Sequence, residues 1–372
     1  MRDAVVVDQE GLDALIQTLV ADGRTVVGPT HRDGVVDLDE VRDLADLPQG
    51  WADQQTPGRY RLDPKMGEAY FAHTTTATSP RRHLHPPHET IVRIRRSDDG
   101  FVVDDHEPLG PPLALVGIRP CDVVAIDVAD RVASRGRDDA ALQRRADALI
   151  VAVNCTRSGP TCFCASMGTG PEVGVGHDVA LTELIDDRGH RFVADAATER
   201  GGELLDRVPT SPADAADLAD AAEARHGALD QQRAIDRDGL HDALLGSLEH
   251  DRWDEVARRC LSCGSCTLVC PTCFCTTVED RTDLADGSAE RNRRWESCFS
   301  LDHSHLGTGS VRDTVKDRYR QWLTHKLATW VDQFDEVGCV GCGRCLTWCP
   351  VGIDLTEEVA ALRQPVTVGG PR

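Results

Sequence analysis

Cys260-Leu-Ser-Cys263-Gly-Ser-Cys266-Thr-Leu-Val-Cys270-Pro271 and Cys339-Val-Gly-Cys342-Gly-Arg-Cys345-Leu-Thr-Trp-Cys349-Pro350 are two copies of one ladder. Thiolates are soft ligands suited to iron–sulfur cubanes. The spacing lets three successive sulfurs curl around one [4Fe–4S] cluster while the fourth reaches to another. Two copies therefore predict two [4Fe–4S] clusters with crossed ligands. Cys260, Cys263, Cys266 and Cys349 take one cluster, and Cys339, Cys342, Cys345 and Cys270 take the second. Gly264, Gly341 and Gly343 lie between ligands, where a missing Cβ lets backbone N–H groups approach the sulfides. Pro271 and Pro350 fix φ and lack an N–H, which ends each local turn. A four-cysteine zinc site needs two pairs, not two sets of four that close on Cys-Pro. Disulfides fit poorly with a spacing that brings three sulfurs to one point.

The rest of the chain is too large to be a minimal cluster carrier. At 372 residues it has room for two or three domains, and 15 cysteines far exceed what packing requires. In the N-terminal stretch Leu12, Leu15, Ile16, Leu19 and Val20 fall at helical spacing before Gly23, which predicts an amphipathic helix rather than a secretion signal. No apolar run approaches the ~20 residues needed to cross a bilayer, so the expectation is a cytoplasmic protein that does not span a membrane. The net charge of −21 argues against nucleic acid as a partner. Lysine is nearly absent, with Lys65, Lys316 and Lys326 alone, so almost all positive charge is arginine.

The fold class expected is α+β: an N-terminal mixed α/β domain over 1–205, a helical connector over 206–255, and an α-helical ferredoxin-like domain with two [4Fe–4S] clusters over 256–372. Pro112–Ile118 and Ala148–Val153 read as buried strands. Each delivers a cysteine, Cys121 and Cys155, beyond its C-terminal end, where α/β sheets place ligands. The segment after Cys121 reads as a helix closed by Gly136. The connector is rich in Ala and Asp, with Ser211 or Asp214 as caps. Between the ladders, Tyr319, Trp322, Leu323, Leu327, Trp330 and Phe334 form a helical stripe read as core packing. That stripe predicts a helical insertion bringing the two ladders together.

Seven cysteines lie outside the ladders. Cys121, Cys155, Cys162 and Cys164 admit two readings, a further [4Fe–4S] cluster or buried free cysteines. Thr-Cys-Phe-Cys occurs at 161–164 and again at 272–275. Cys273, Cys275 and Cys298 number only three, and free cysteine is the preferred reading for them. His83, His85 and His88 share a run with Pro86 and Pro87 and read as a surface loop rather than a metal site. Gly168–Gly176 lacks the third glycine of a dinucleotide loop and any following helix pattern.

Several strings together resemble a known family: GIRPCDVVAIDVADRV, NCTRSGPTCFCASMGTGP, CLSCGSCTLVCPTCFCTTVED, RRWESCFS and CVGCGRCLTWCPVGID. They resemble the iron–sulfur (beta) subunit of cytosolic sulfhydrogenase-type [NiFe] hydrogenases, which is also similar to the electron-transfer subunit of anaerobic sulfite reductase. The likeness spans about Arg81 to Asp354. It implies a non-catalytic subunit that relays electrons between a flavin- and NAD(P)-binding gamma subunit and the small and large hydrogenase subunits. It also implies that Cys121, Cys155, Cys162 and Cys164 act as a set. One departure is that His83 and His85 precede the Pro86-Pro87 pair where the family tends to carry aromatic residues. Competing readings are the electron-transfer subunit of a sulfite reductase complex, an N-terminal half that is itself an iron–sulfur enzyme, and a purely structural metal protein.

Overall fold

The computed structural model describes residues 3–63, 67–105 and 110–364. Lys65 and the tail from 365 onward lie outside the described residues. The two apolar runs form Leu113–Ile118 and Leu149–Val153, parallel neighbours at the centre of an eight-stranded sheet. In spatial order its strands are Ser211–Pro212, Val5–Asp8, Gly189–Ala196, Val179–Asp186, Leu149–Val153, Leu113–Ile118, Thr25–Arg32 and Val35–Glu40. The strands from Val179–Asp186 to Thr25–Arg32 are parallel, and antiparallel strands complete both sides.

Central strands of such a sheet are covered on both faces, which is why they are apolar at every position. Leu149, Val151 and Val153 face one core, while Ile150 and Ala152 face the other. Helix Gln9–Ala21 fills the first core with Leu12, Leu15, Ile16 and Leu19. Each such buried side chain contributes about 1.5–3 kcal/mol. Asp8 caps this helix by accepting from the Gly11 N–H at 2.8 Å, and Val20, expected on the apolar stripe, is exposed. Helix Pro120–Gly136 covers the opposite face with Val123 and Ile126. It ends at Gly136, as its sequence leads one to expect, and Arg137 beyond it, rather than the glycine, adopts the left-handed conformation at φ 55°.

Three helices, Ala215–Gly227, Leu240–Gly246 and Arg252–Arg259, carry the chain from the sheet to the first ladder. Asp214 starts the first of them with a capping box closed by Asp217. The segment between the ladders is only partly helical. It opens with a hairpin, Thr276–Thr282 paired with Ala289–Trp295, which adds to His88–Ser97 and Gly100–Asp105 as a four-stranded sheet. Its charged, largely exposed strands carry no apolar signature, so the pattern that marks buried strands is missing.

Helix Val315–Thr324 follows and continues through a wider π-helical turn, His325–Thr329, into Trp330–Phe334. Tyr319, Trp322, Leu323 and Leu327 share a core with Trp253 and Phe299. Beyond the π turn, Trp330 and Phe334 pack instead on Val128 of helix Pro120–Gly136. The stripe is core packing, divided between two contacts.

Candidate metal centre

Each ladder makes the same local turn. Cys260 follows helix Arg252–Arg259, and Gly264 at φ 75° opens the short helix Ser265–Leu268. In the second ladder Gly343 at φ 77° opens Arg344–Thr347. Both glycines take a backbone conformation that L side chains rarely adopt. Gly341 and Gly343 have a second constraint, because a Cβ on either would lie 2.7 Å or less from backbone atoms of Cys164 or Thr161.

The ladders line two cavities. One is bordered by Cys260, Cys263 and Cys266 of the first ladder and by Cys349 and Cys345 of the second, with Phe299 and Trp322 behind them. The other is lined by Cys339, Cys342 and Cys345 of the second ladder and Cys270 of the first, beside Phe163 and Lys326. Cys345 borders both, so the cavities are neighbours. Among the described residues no three His, Cys, Asp or Glu side chains close on a point as a single metal ion requires. The sulfurs line space instead, and thiols grouped around a cavity are a donor set that fits a cubane cluster.

Hydrogen bonds already reach these sulfurs. The Ser262 N–H donates to Cys260 Sγ and the Ile353 N–H to Cys349 Sγ, both at 3.3 Å. Such donors stabilise a thiolate ligand and tune the potential of whatever it binds. Burial pushes the Cys266 and Cys345 thiols well above the usual range and Cys339 up to about 12. Cys270 moves the other way, well below the usual range. The adjacent Cys273 thiol and the Lys326 ammonium, whose Nζ donates to Cys270 Sγ at 3.2 Å, both favour its thiolate. Lys326 is buried, and it also donates to Thr272 Oγ1 at 3.0 Å and to the Gly338 carbonyl at 2.8 Å.

The third set of cysteines gathers beside the second ladder. Cys121 lies in the first turn of helix Pro120–Gly136, Cys155 follows strand Leu149–Val153, and Cys162 and Cys164 lead into the short helix Cys164–Met167. Cys121, Cys164 and the ladder residue Cys342 pack in one cluster with Ala125 and Val340. Cys155, Cys162 and Cys164 are close enough to perturb one another electrostatically, and Cys342 acts on both Cys162 and Cys164. Burial dominates all four, and it pushes Cys164 up to about 11 although Gln231 Nε2 lies 3.2 Å from its sulfur.

A buried arginine fastens this arrangement. Arg344, inside the second ladder, pairs with Asp122 through two 2.7 Å hydrogen bonds and donates through Nε to the Thr76 carbonyl at 2.8 Å. The Phe163 N–H donates to the Gly341 carbonyl at 2.9 Å, and Thr169 Oγ1 donates to the Val340 carbonyl at 2.6 Å. The second ladder is therefore bound directly to the loops that carry Cys121, Cys162 and Cys164.

The last three cysteines face a large open cavity. Cys275 is held down at about 4 by the Cys298 thiol and the His303 imidazole against it. The histidine run is only partly the surface loop expected: His88 is exposed at the start of strand His88–Ser97, but His83 and His85 are not. Arg81–Leu84 is a short helix, and burial lowers both His83 and His85, the latter to about 4. Arg81 stacks on Trp295 at 3.5 Å and donates to the Cys270 carbonyl at 3.0 Å.

Sequence reasoning singled out neither Lys326, Arg344 nor Arg81 as part of the site. Two of them left a signal. Lys326 is one of three lysines in the chain, and Arg344 stands between two ladder cysteines where a solvated charge would be out of place.

These features define an iron–sulfur protein in which a ladder-bearing unit is joined to a mixed α/β sheet. The profile of the 4Fe–4S dicluster domain matches residues 259–353. Sulfhydrogenase 2 subunit beta of Pyrococcus furiosus is 30% identical over 309 residues, covering 80% of this chain and 87% of that protein. The chain belongs to the family of sulfhydrogenase beta subunits, as an iron–sulfur electron-transfer subunit. No solved structure matches it. Among the described residues no helix is long and apolar enough to cross a membrane.

Proposed function

We propose that this chain relays electrons between a flavin- and NAD(P)-binding gamma subunit and the small and large subunits of a [NiFe] hydrogenase. In this reading Cys260, Cys263, Cys266 and Cys349 hold one [4Fe–4S] cluster and Cys339, Cys342, Cys345 and Cys270 the second. Cys121, Cys155, Cys162 and Cys164 hold a third. Residues 1–205 form the mixed α/β domain, 206–255 the connector and 256–372 the ladder domain. The clusters supply one-electron storage at separate points within one chain. The protein's own contribution is to enclose the donors, to supply N–H and ammonium groups to their sulfurs, and to fix the ladders against the third set.

The observation that carries this reading is the crossed lining of the two cavities: Cys260, Cys263 and Cys266 share the first with Cys349 and Cys345, and Cys339, Cys342 and Cys345 share the second with Cys270. Family membership favours hydrogenase subunits over sulfite reductase subunits as partners. Anaerobic purification of the complex tests it. A nickel-bearing partner and hydrogen-dependent NAD(P) reduction are expected, whereas a sirohaem partner would overturn the assignment. Within the chain, Cys349→Ala is expected to disturb the spectrum of the cluster on the first ladder. Disturbance confined to the second ladder would refute the crossed ligation.

A further inference from the structure

Three cysteines remain outside the three sets proposed above, and although Cys298 packs at the edge of the ladder core, all three also line an open cavity. Cys275 immediately precedes strand Thr276–Thr282, and Cys298 lies three residues beyond strand Ala289–Trp295. In the hairpin Thr276 stands opposite Trp295, and the Glu296 N–H donates to the Cys275 carbonyl at 2.9 Å. The pairing thus brings both cysteines to one end of the hairpin. Cys275 lies against Cys298 on one side and His303 on the other. Cys273, two positions before Cys275, borders the same open cavity.

Structural cysteines behave as small buried hydrophobes. Here three partly exposed cysteines and His303 line one solvent-connected cavity, with Cys275 against both Cys298 and His303 and Cys273 against Cys270. The tetrapeptide that delivers two of them, Thr272-Cys273-Phe274-Cys275, repeats Thr161-Cys162-Phe163-Cys164 from the third set.

We infer that Cys273, Cys275, Cys298 and His303 form a fourth iron–sulfur site, with three thiolate ligands and one imidazole. It borders the ladders, since Cys273 abuts Cys270 and Cys298 feels the charge of Cys266, yet it opens to solvent. That position suits a point where electrons enter or leave the chain. An imidazole in place of a thiolate raises a cluster's potential.

The test is iron and acid-labile sulfide per chain in the anaerobically purified complex, comparing wild type with Cys275→Ser and Cys298→Ser. Each variant is expected to lose one cluster's iron, about two or four atoms according to cluster type, while the ladder signals persist. The loss is read against wild type, so it stands or falls independently of the set around Cys121. A second measurement does not depend on how the serine variants fold. Wild type should show hyperfine coupling to a ligating imidazole nitrogen, and His303→Ala should lack it. Unchanged iron in Cys298→Ser, with or without a Cys275–Cys298 disulfide on oxidation, would overturn the site. Absence of nitrogen coupling from wild type would overturn it as well.

Discussion

A chain that uses arginine almost everywhere keeps one of its three lysines buried against a ladder cysteine. Lys326 differs from an arginine at this point because its compact ammonium presents three donors, which go to Cys270 Sγ, Thr272 Oγ1 and the Gly338 carbonyl. Desolvation opposes a buried ammonium, yet Cys270, Cys273 and Cys339 together hold it well above the usual range. A fixed positive charge beside a ligand stabilises the more negative, reduced state of the bound group. Lys326→Met is therefore expected to lower the midpoint potential of the cluster on the second ladder by roughly 100 mV. That is the order of a unit charge several ångströms away at an effective dielectric constant of about 20. A potentiometric titration followed by paramagnetic resonance would check it, and an unchanged potential would show that the lysine only packs. The two cysteine ladders stand out from spacing alone. Lys326 does not, because its role depends on a contact with Cys270, 56 residues away.

At the scale of elements, what could be read depended on whether an element's environment is written in its own residues. Leu113–Ile118 and Leu149–Val153 were legible because strands covered on both faces are apolar throughout. The hairpin Thr276–Thr282 with Ala289–Trp295 was not, since its partner strand, His88–Ser97, comes from far away in the sequence and its exposed positions are charged. The His83–His85 run misled for a related reason. Its polar residues are buried by elements it does not adjoin in sequence, and Arg81 reaches the first ladder.

The short helix Arg344–Thr347 shows how such long-range contacts hold the molecule together. Arg344 and Asp122 are both buried, so removing one partner leaves an unpaired charge in a poorly solvated place. Arg344→Ala is expected to cost about 3–5 kcal/mol of stability, and adding Asp122→Ala should recover part of that loss. Denaturation of the two variants side by side would decide. Equal losses would mean that the pair contributes through packing alone. Gly343→Ala should also destabilise this helix, by about 1–3 kcal/mol for the left-handed backbone, with the contact to the Thr161 carbonyl adding to it.

For the whole molecule, the two ends of the chain rest on cores of different kinds. The sheet's two cores consist of aliphatic and aromatic side chains and include no cysteine. In the ladder-bearing half, Cys260, Cys266, Cys298, Cys345 and Cys349 pack against the main core, so a lost cluster leaves an emptied cavity within it. Burial holds Cys266 and Cys345 as thiols once metal is gone, and ligand thiolates must take up protons as iron leaves. The sign follows directly. Acid favours the protonated, metal-free form, so cluster retention should fall as pH decreases, and anaerobic chelation should become faster in the same direction. The structural consequence should be local. Trp253, Trp295, Trp322, Trp330 and Trp348 lie in the ladder-bearing half, with Trp51 alone outside it. Chelation is therefore expected to red-shift tryptophan fluorescence while the far-ultraviolet strand signal persists. Simultaneous loss of both signals would show instead that the Arg344–Asp122 contact couples the halves into one cooperative unit.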